Sequence, residues 1–322
     1  MVLDQLKQLL AADMDAVDAV IRDRLRSEVV LVNQVSEYII NSGGKRIRPA
    51  LVVLSAKAFG YSGVHHHNLA AVVEFIHTAT LLHDDVVDES DLRRGRATAS
   101  ALFGNAASVL VGDFLYSRAF QMMVKVGDMR VMQTLADATN TIAEGEVLQL
   151  LNCHDADVDA ANYLHVIHCK TAKLFEAAMS LGAILSGAGD ATEQAAAKYG
   201  MHLGTAFQLV DDVLDYSGDE QETGKKLGDD LAEGKPTLPL IYAMQHGDAR
   251  QAALVRAAIE QGDIGRFAGV LEVIKATGAL EYTRQQARQE AELARAAISV
   301  LPDTKFKESL LQLAAFAASR QF

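Results

Sequence analysis

Long apolar runs and prolines are scarce in this 322-residue sequence. No uncharged stretch reaches the length of about 18 apolar residues that a membrane-spanning helix needs, and the acidic, amphipathic N-terminus lacks the basic-then-apolar layout of a signal peptide. Only four prolines occur, and no linker rich in Gly, Ser or Pro interrupts the chain. We therefore expect one domain over residues 1–322, no membrane span and a cytoplasmic location.

Basic residues and cysteines are also scarce. Thirty Lys and Arg residues stand against 42 Asp and Glu residues, which gives a formal net charge of −12. Nucleic-acid binders usually carry a basic face that neutralises phosphates, so we expect no nucleic-acid partner. Two cysteines in a chain of this size make no disulfide framework, which suits a reducing compartment.

The histidines show no zinc-binding pattern. None of the usual Cys-x-x-Cys spacings occurs, so the residues around the two cysteines are interpreted as packing and surface residues. These residues are Cys153, His154, His165, His168 and Cys169. The run His65-His66-His67 follows Gly63 and is interpreted as a solvated loop.

The apolar residues recur with helical spacing almost everywhere. With 50% hydrophobic and 22% charged residues, the chain can bury a large core. Strict alternation with β-branched residues is missing, and glycines cluster where helices should stop. An N-terminal stripe predicts one amphipathic helix of about six turns. Its residues are Leu3, Leu6, Leu10, Met14, Val17, Ile21 and Leu25. We predict an all-α fold, a single large helical bundle without a sheet.

One acidic pattern occurs twice. The segments 81–88 and 208–215 both contain two adjacent aspartates and a third one after two apolar residues. We call Asp84, Asp85 and Asp88 the first aspartate motif, and Asp211, Asp212 and Asp215 the second aspartate motif. On a helix, residues four apart share a face, so each motif makes a carboxylate cluster. Like charges inside apolar runs need a cation, and oxygen ligands favour Mg²⁺ combined with substrate phosphates.

A solvated acidic face is the usual interpretation of a single such triplet. Here, however, each motif is followed by a basic, glycine-containing segment, at 93–96 and at 224–236. A third basic segment, 43–49, places Gly-Gly-Lys before Pro49, which suits the first turn of a helix, where free amides attract anions. This segment alone would be an ordinary connection, but the combination indicates two anionic substrates.

The helix that carries the first aspartate motif also predicts an apolar space. The positions one and two turns before Asp84 are Thr80, Ala79 and Ile76, which are small or apolar. Because helical side chains lean toward the N-terminus, these residues would line the space beneath the carboxylates. Met123 is a candidate for the floor of that space, although methionines are more often core residues. The space suits a long hydrocarbon attached to a diphosphate.

These motifs resemble those of the trans-polyprenyl diphosphate synthases, all-helical enzymes of the isoprenoid synthase type. The resemblance is clearest from Gly43 to Pro239. It implies that both aspartate motifs bind Mg²⁺ with the allylic diphosphate, with Asp84, Asp88 and Asp211 as direct metal ligands. The implied residues for isopentenyl diphosphate are Lys45, Arg48, His77 and Arg94. Those for the allylic substrate are Arg93, Lys170, Thr171, Gln208, Lys225 and, on a diphosphate-facing loop, Lys235.

The same resemblance implies an activity and its partners. The chain is most similar to bacterial members that make an octaprenyl chain for respiratory quinones such as ubiquinone. The implied reaction is Mg²⁺-dependent, sequential condensation of isopentenyl diphosphate onto an allylic diphosphate such as farnesyl diphosphate, with Lys170 assisting the departing diphosphate. A homodimer and transient membrane contact for product release are also implied. Three alternatives stay open: a geranylgeranyl synthase, a class I terpene cyclase and a noncatalytic synthase subunit.

Overall fold

The computed structural model describes residues 2–93, 95–217 and 227–320, and most of them are helical. The helices of the first half are α1 (Val2–Arg24), α2 (Val30–Asn41), α3 (Ile47–Ala58), α4 (His65–Val87), α5 (Ala99–Phe103), α6 (Asn105–Val126) and α7 (Met129–Asn152). Those of the second half are α8 (Ala160–Ile167), α9 (Lys173–Leu185), α10 (Asp190–Ser217), α11 (Asp229–Ala232), α12 (Leu238–His246), α13 (Ala249–Gln261), α14 (Phe267–Thr277), α15 (Ala279–Ala297) and α16 (Lys305–Ser319). The predicted all-α class is confirmed.

Helix α1 follows from its apolar stripe. It buries one face through residues that recur every three or four positions, namely Leu6, Leu10, Val17 and Ile21. This helix packs against α3 and α4. The predicted N-terminal helix of about six turns is therefore confirmed.

A two-stranded ribbon departs from the prediction of a fold without a sheet. Strand β1 (Leu92–Arg93) pairs antiparallel with β2 (Arg96–Ala97), and Leu92 lies opposite Ala97. Gly95 in the turn has a φ of 71°, a left-handed conformation that glycine adopts without steric cost. A ribbon of two residues per strand is too short to show alternation, so no periodic signal could predict it.

The histidine run is not the solvated loop that the sequence suggested. Helix α4 begins at His65, and the side chain of His66 is only 2% exposed. The burial has a physical reason, because the imidazoles of His66 and His67 both contact the Asp13 carboxylate of α1. Local composition could not reveal a partner that far away in the sequence.

The chain divides into two compact units. Unit 1 comprises Met1–Thr139, Leu174–Gly200 and Ala297–Leu313, and unit 2 comprises Asn140–Lys173, Met201–Ala296 and Ala314–Phe322. In unit 1, α4 packs against α1, α3 and α6. In unit 2, α12 packs against α8, α13 and α14. The single domain over residues 1–322 stays a prediction.

None of the helices in the described part of the chain is long and apolar enough to cross a membrane.

Candidate active site

The first aspartate motif lies at the C-terminal end of α4. The helix ends at Val87, and the backbone N–H of Asp88 donates to the carbonyl of Asp84, at 2.8 Å. Asp84 and Asp88 are half-buried, whereas Asp85 is 1% exposed. The outer carboxylates of the motif are thus accessible to a ligand, and the middle one is enclosed.

Asp85 is held by Arg93 of β1. Arg93 Nε donates to Asp85 Oδ1 at 2.7 Å, so the ribbon after the motif carries its counter-ion. Burial raises the pKa of Asp85, and the neighbouring Asp84 and Asp88 add to the rise, while the Arg93 guanidinium opposes it. The second oxygen, Oδ2, is buried and has no hydrogen-bond partner. A buried carboxylate oxygen of this kind suits a bound cation.

The second aspartate motif has the same arrangement on α10. Asp211 and Asp215 are half-buried, and the middle residue Asp212 is 2% exposed. The backbone N–H of Asp230, in α11, donates to Asp215 Oδ2 at 3.3 Å. Each motif therefore presents its first and third carboxylates and encloses the second. Oxygen ligands of this number and type fit Mg²⁺ or Ca²⁺.

Asp212 is enclosed by two uncharged donors. The Tyr163 hydroxyl of α8 donates to Asp212 Oδ2, and Gln208 Nε2 donates to Oδ1 at 2.9 Å. Burial raises the pKa of Asp212 to about 8. Repulsion from Asp230 and Asp211 contributes to the rise, and the hydrogen bonds from Tyr163 and Gln208 oppose it. The Tyr163 hydroxyl therefore favours the ionised form of Asp212, which adds negative charge beside the two accessible carboxylates of the second aspartate motif.

Arg320 is a second residue that the sequence analysis missed. Its Nη2 lies 2.5 Å from Asp211 Oδ1 and donates to the Phe207 carbonyl at 2.7 Å. The guanidinium stacks over the Phe207 ring, 3.8 Å from its centroid, and the arginine side chain is 3% exposed. No local signal could have identified either missed residue, since Arg320 is 113 positions from Phe207 and Tyr163 is 49 from Asp212.

The predicted isopentenyl diphosphate residues lie around the start of α3 and in α4. Lys45 precedes α3, as predicted, and is half-buried. The structure brings Arg48 and His77 together, with Arg48 Nη1 3.1 Å from His77 Nε2. The Arg48 guanidinium also lies 4.5 Å from the centroid of the Phe175 ring. These contacts fix the direction of the guanidinium. Arg94 lies outside the described residues.

Two of the predicted allylic-side residues lie in a π-helical turn, His168–Ala172, between α8 and α9. Thr171 Oγ1 donates to Gln208 Oε1 at 3.1 Å, which joins this turn to the second aspartate motif's helix. Lys170 forms an ion pair with Glu146 of α7. A π-helical turn inside helical structure redirects side chains and is frequent at functional sites.

The remaining predicted residues are distributed as follows. Lys235 forms an ion pair with Glu233, and Lys225 lies outside the described residues. Three predicted chain-length residues, Ile76, Ala79 and Met123, are fully buried. The fourth, Thr80, is half-buried, and its hydroxyl donates to the carbonyl of His77 at 2.8 Å. Their role in chain length stays a prediction.

Comparisons with known proteins give matches over most of the chain. A model of the polyprenyl synthetase family matches residues 29–274. Over 320 residues, 99% of each chain, the sequence is 56% identical to octaprenyl diphosphate synthase of Escherichia coli K12. It is 44% identical over 312 residues to an all-trans-nonaprenyl-diphosphate synthase (geranyl-diphosphate specific) of Rhodobacter capsulatus, covering 97% of this chain and 96% of that one.

Two solved structures also match over nearly the whole chain. A polyprenyl synthase from Caulobacter crescentus CB15, complexed with calcium and isoprenyl diphosphate, matches with a TM-score of 0.96 at 46% identity. The match covers 99% of this chain and 98% of that chain. A decaprenyl diphosphate synthase from Rhodobacter capsulatus matches with a TM-score of 0.93 at 47% identity, over 99% of both chains.

Proposed function

Because this chain belongs to the polyprenyl synthetase family and is a long-chain trans-polyprenyl diphosphate synthase, we propose that it adds isopentenyl diphosphate units one at a time to farnesyl diphosphate. The fold is the all-helical isoprenoid synthase fold. The observation that carries the proposal is the repeated arrangement of Asp84–Asp88 and Asp211–Asp215, each with two accessible carboxylates around an enclosed one.

The metal that fits these carboxylates is Mg²⁺. Asp84 and Asp88 would hold it at the first aspartate motif and Asp211 at the second, as hard oxygen ligands that leave coordination positions to substrate phosphates. The unpartnered Oδ2 of Asp85 supports a cation at the first motif. Bound Mg²⁺ supplies Lewis-acid stabilisation of the charge that develops on a departing diphosphate.

The residues of the chain would bind and orient the two substrates. Lys45, Arg48 and His77 hold isopentenyl diphosphate, and the Arg48–His77 contact keeps the guanidinium directed. Arg93 and Lys170 face the allylic diphosphate and assist its departure. Both cations already have acidic partners in the structure, so their positions are set before the substrate binds. Thr171 and Gln208 fix the turn that carries Lys170.

Loss of a proton completes each condensation. No protein nucleophile is needed, since the double bond of isopentenyl diphosphate attacks the allylic carbon as its C–O bond breaks. The departing diphosphate accepts the proton that is lost. Water would trap the allylic cation as an alcohol, so the reacting carbons must be shielded. The buried residues Ile76 and Ala79 behind Asp84 and the buried Met123 would line the space for the growing chain.

The product that fits the relatives best is an octaprenyl chain for a quinone such as ubiquinone. The 56% identity to the octaprenyl enzyme of Escherichia coli supports this length. A homodimer is supported by α6, which leaves apolar side chains exposed, among them Leu110 at 65% and Val124 at 64%. An apolar product of this size is released most readily during transient contact of a cytoplasmic enzyme with a membrane.

Incubation of the purified protein with Mg²⁺, farnesyl diphosphate and labelled isopentenyl diphosphate tests the proposal. Chromatography of the dephosphorylated products should give an octaprenyl alcohol. A geranylgeranyl product would indicate a medium-chain synthase. A cyclic hydrocarbon formed without isopentenyl diphosphate would indicate a terpene cyclase. Absence of any product would indicate a noncatalytic subunit. Each of these three results would contradict the proposal.

A further inference from the structure

A second cluster of potential metal ligands lies far from the first aspartate motif. Asp13 of α1 and the adjacent His66 and His67 in the first turn of α4 have ligand atoms within 4.8 Å of one another. His67 Nε2 lies 2.9 Å and His66 Nε2 3.3 Å from Asp13 Oδ1. The cluster is separated from Asp84 by about 27 Å along α4, at about 1.5 Å per residue. It is therefore distinct from the first aspartate motif.

The ligand types differ from those of the aspartate motifs. Two imidazoles and one carboxylate suit zinc and similar transition ions, whereas Mg²⁺ prefers oxygen alone. Catalytic and accessory zinc sites often use three protein ligands and leave the fourth position to water. We propose that Asp13, His66 and His67 bind a divalent transition ion of the zinc class and so connect α1 to the start of α4.

The spacing of the ligand atoms suits such an ion. Two ligand atoms each about 2.0 to 2.1 Å from a tetrahedral ion lie about 3.3 Å apart. The two nitrogen-to-oxygen distances, 2.9 and 3.3 Å, need only a few tenths of an ångström of adjustment. The side chains of Asp13, His66 and His67 are 17%, 2% and 20% exposed, so the cluster is largely shielded yet reachable from solvent.

Two further observations support the site. The Nδ1 of His66 is buried and has no hydrogen-bond partner, so an ion bound at Nε2 would break no hydrogen bond of this imidazole other than the Asp13 contact. Burial, followed by the charges of His67 and Lys57, lowers the pKa of His66, while Asp13 opposes the shift. The neutral imidazole is the form that binds metal ions.

Lys57 competes with a metal ion at this site. Its Nζ lies 3.1 Å from Asp13 Oδ1 and supplies the positive charge that the carboxylate needs. The Lys57 side chain is 29% exposed and lies in the last turn of α3, so its flexible stem can turn toward solvent when an ion binds. The ammonium should therefore weaken the site without abolishing it.

Binding of Co²⁺ to the full chain, purified without a histidine tag, tests the proposal. A millimolar excess of Mg²⁺ occupies the aspartate motifs. Four-coordinate Co²⁺ has strong visible absorption bands, so titration should show one such ion per chain. His67→Asn should weaken the affinity about tenfold or more. His65→Asn is the matched control, since His65 is the neighbouring histidine outside the cluster, and its affinity should equal that of the wild type.

Additional variants keep the result decisive. If His67→Asn does not fold by circular dichroism, the nearly isosteric Asp13→Asn replaces it. Lys57→Met should bind Co²⁺ about fivefold or more tightly, because a competing positive charge is removed. Absence of strong bands in the wild type would overturn the proposal. So would unchanged affinity in the ligand variants, a loss of affinity in His65→Asn or no gain in Lys57→Met.

Binding of the ion should stabilise the fold without changing the enzyme activity. Zn²⁺ at about a hundred times the wild-type Kd should raise the Tm of the wild type by roughly 4 °C and that of His67→Asn by no more than roughly 2 °C. Prenyltransferase activity with Mg²⁺ should be the same in both proteins, since the cluster lies about 27 Å from Asp84. A Tm rise of equal size in His67→Asn would also overturn the assignment.

Discussion

Replacement of Tyr163 with phenylalanine removes the hydroxyl that donates to the buried carboxylate of Asp212. A hydrogen bond to a charged group contributes about 1.5 to 3 kcal/mol, and one pKa unit corresponds to about 1.4 kcal/mol. Tyr163→Phe should therefore raise the pKa of Asp212 by a further one to two units, roughly. Because Asp212 lies next to the proposed ligand Asp211, loss of its negative charge should weaken Mg²⁺ binding electrostatically, and the half-saturating Mg²⁺ concentration at pH 7 should rise roughly a few-fold.

Tyr199→Phe provides a matched control for this experiment. Tyr199 is also fully buried, and its hydroxyl donates at 2.8 Å to a backbone carbonyl, that of Leu310. Tyr199→Phe should lose about 1 kcal/mol of unfolding free energy with its hydrogen bond to an uncharged carbonyl, so it controls for the loss of a buried tyrosine hydroxyl. Only Tyr163→Phe should change the dependence of the initial rate on Mg²⁺.

The pH dependence distinguishes this explanation from a general loss of packing. Above the raised pKa, Asp212 is ionised with or without the Tyr163 hydroxyl, so the difference in Mg²⁺ requirement should shrink as the pH rises. Initial rates measured against Mg²⁺ at several pH values would show this. Equal Mg²⁺ requirements in Tyr163→Phe and Tyr199→Phe at pH 7, or a difference independent of pH, would refute the reasoning.

Four further predictions concern the motifs and the proposed tunnel. Asp84→Ala or Asp211→Ala should abolish turnover with helical circular dichroism intact; near-normal activity would contradict the metal assignment. Ala79→Tyr should shorten the product to a few isoprene units, and an unchanged long product on chromatography would place the tunnel elsewhere. Without Mg²⁺, Arg320→Met should lower the unfolding free energy by about 1 to 2 kcal/mol in urea titrations. The loss should be no larger because Asp211, the partner of Arg320, is half-exposed and its charge is screened by solvent. The folded pKa of Asp212, about 8, exceeds the unfolded value, so the contribution of Asp212 to metal-free stability should be fully present below about pH 4 and be lost as the pH rises through 8. The difference in stability between the wild type and Asp212→Asn should change over this pH range.

Local sequence was sufficient to predict those elements whose apolar or acidic residues recur at a helical period. The stripe of α1 and the repeated aspartate pattern on α4 and α10 follow from spacings of three and four residues, which determine the faces of a helix. The start of α3 after Lys45 follows from Pro49, which suits a first helical turn.

Contacts between distant segments could not be predicted. Nothing in the sequence around Asp212 indicates that Tyr163 of another helix donates to it, or that Arg320 reaches Asp211. The same limit made the interpretation of His66 as a loop residue wrong, since its burial depends on Asp13 of α1. Enclosure of the middle aspartate in each motif is likewise a result of packing, because all three residues of a motif are chemically identical.

The π-helical turn His168–Ala172 has a consequence for the phase of the helices around it. It takes up one residue more than an α-helical turn, and each residue corresponds to a rotation of about 100°. Deletion of a single residue there would restore one continuous α-helix and leave its hydrogen bonds intact. Because the π-helical turn takes up the additional residue, side chains after the deletion would keep their directions, and the buried Leu174 and Phe175 would stay on the apolar side of the helix. The additional residue therefore changes the directions of Lys170 and Thr171 within the turn and leaves the packing after the turn unchanged.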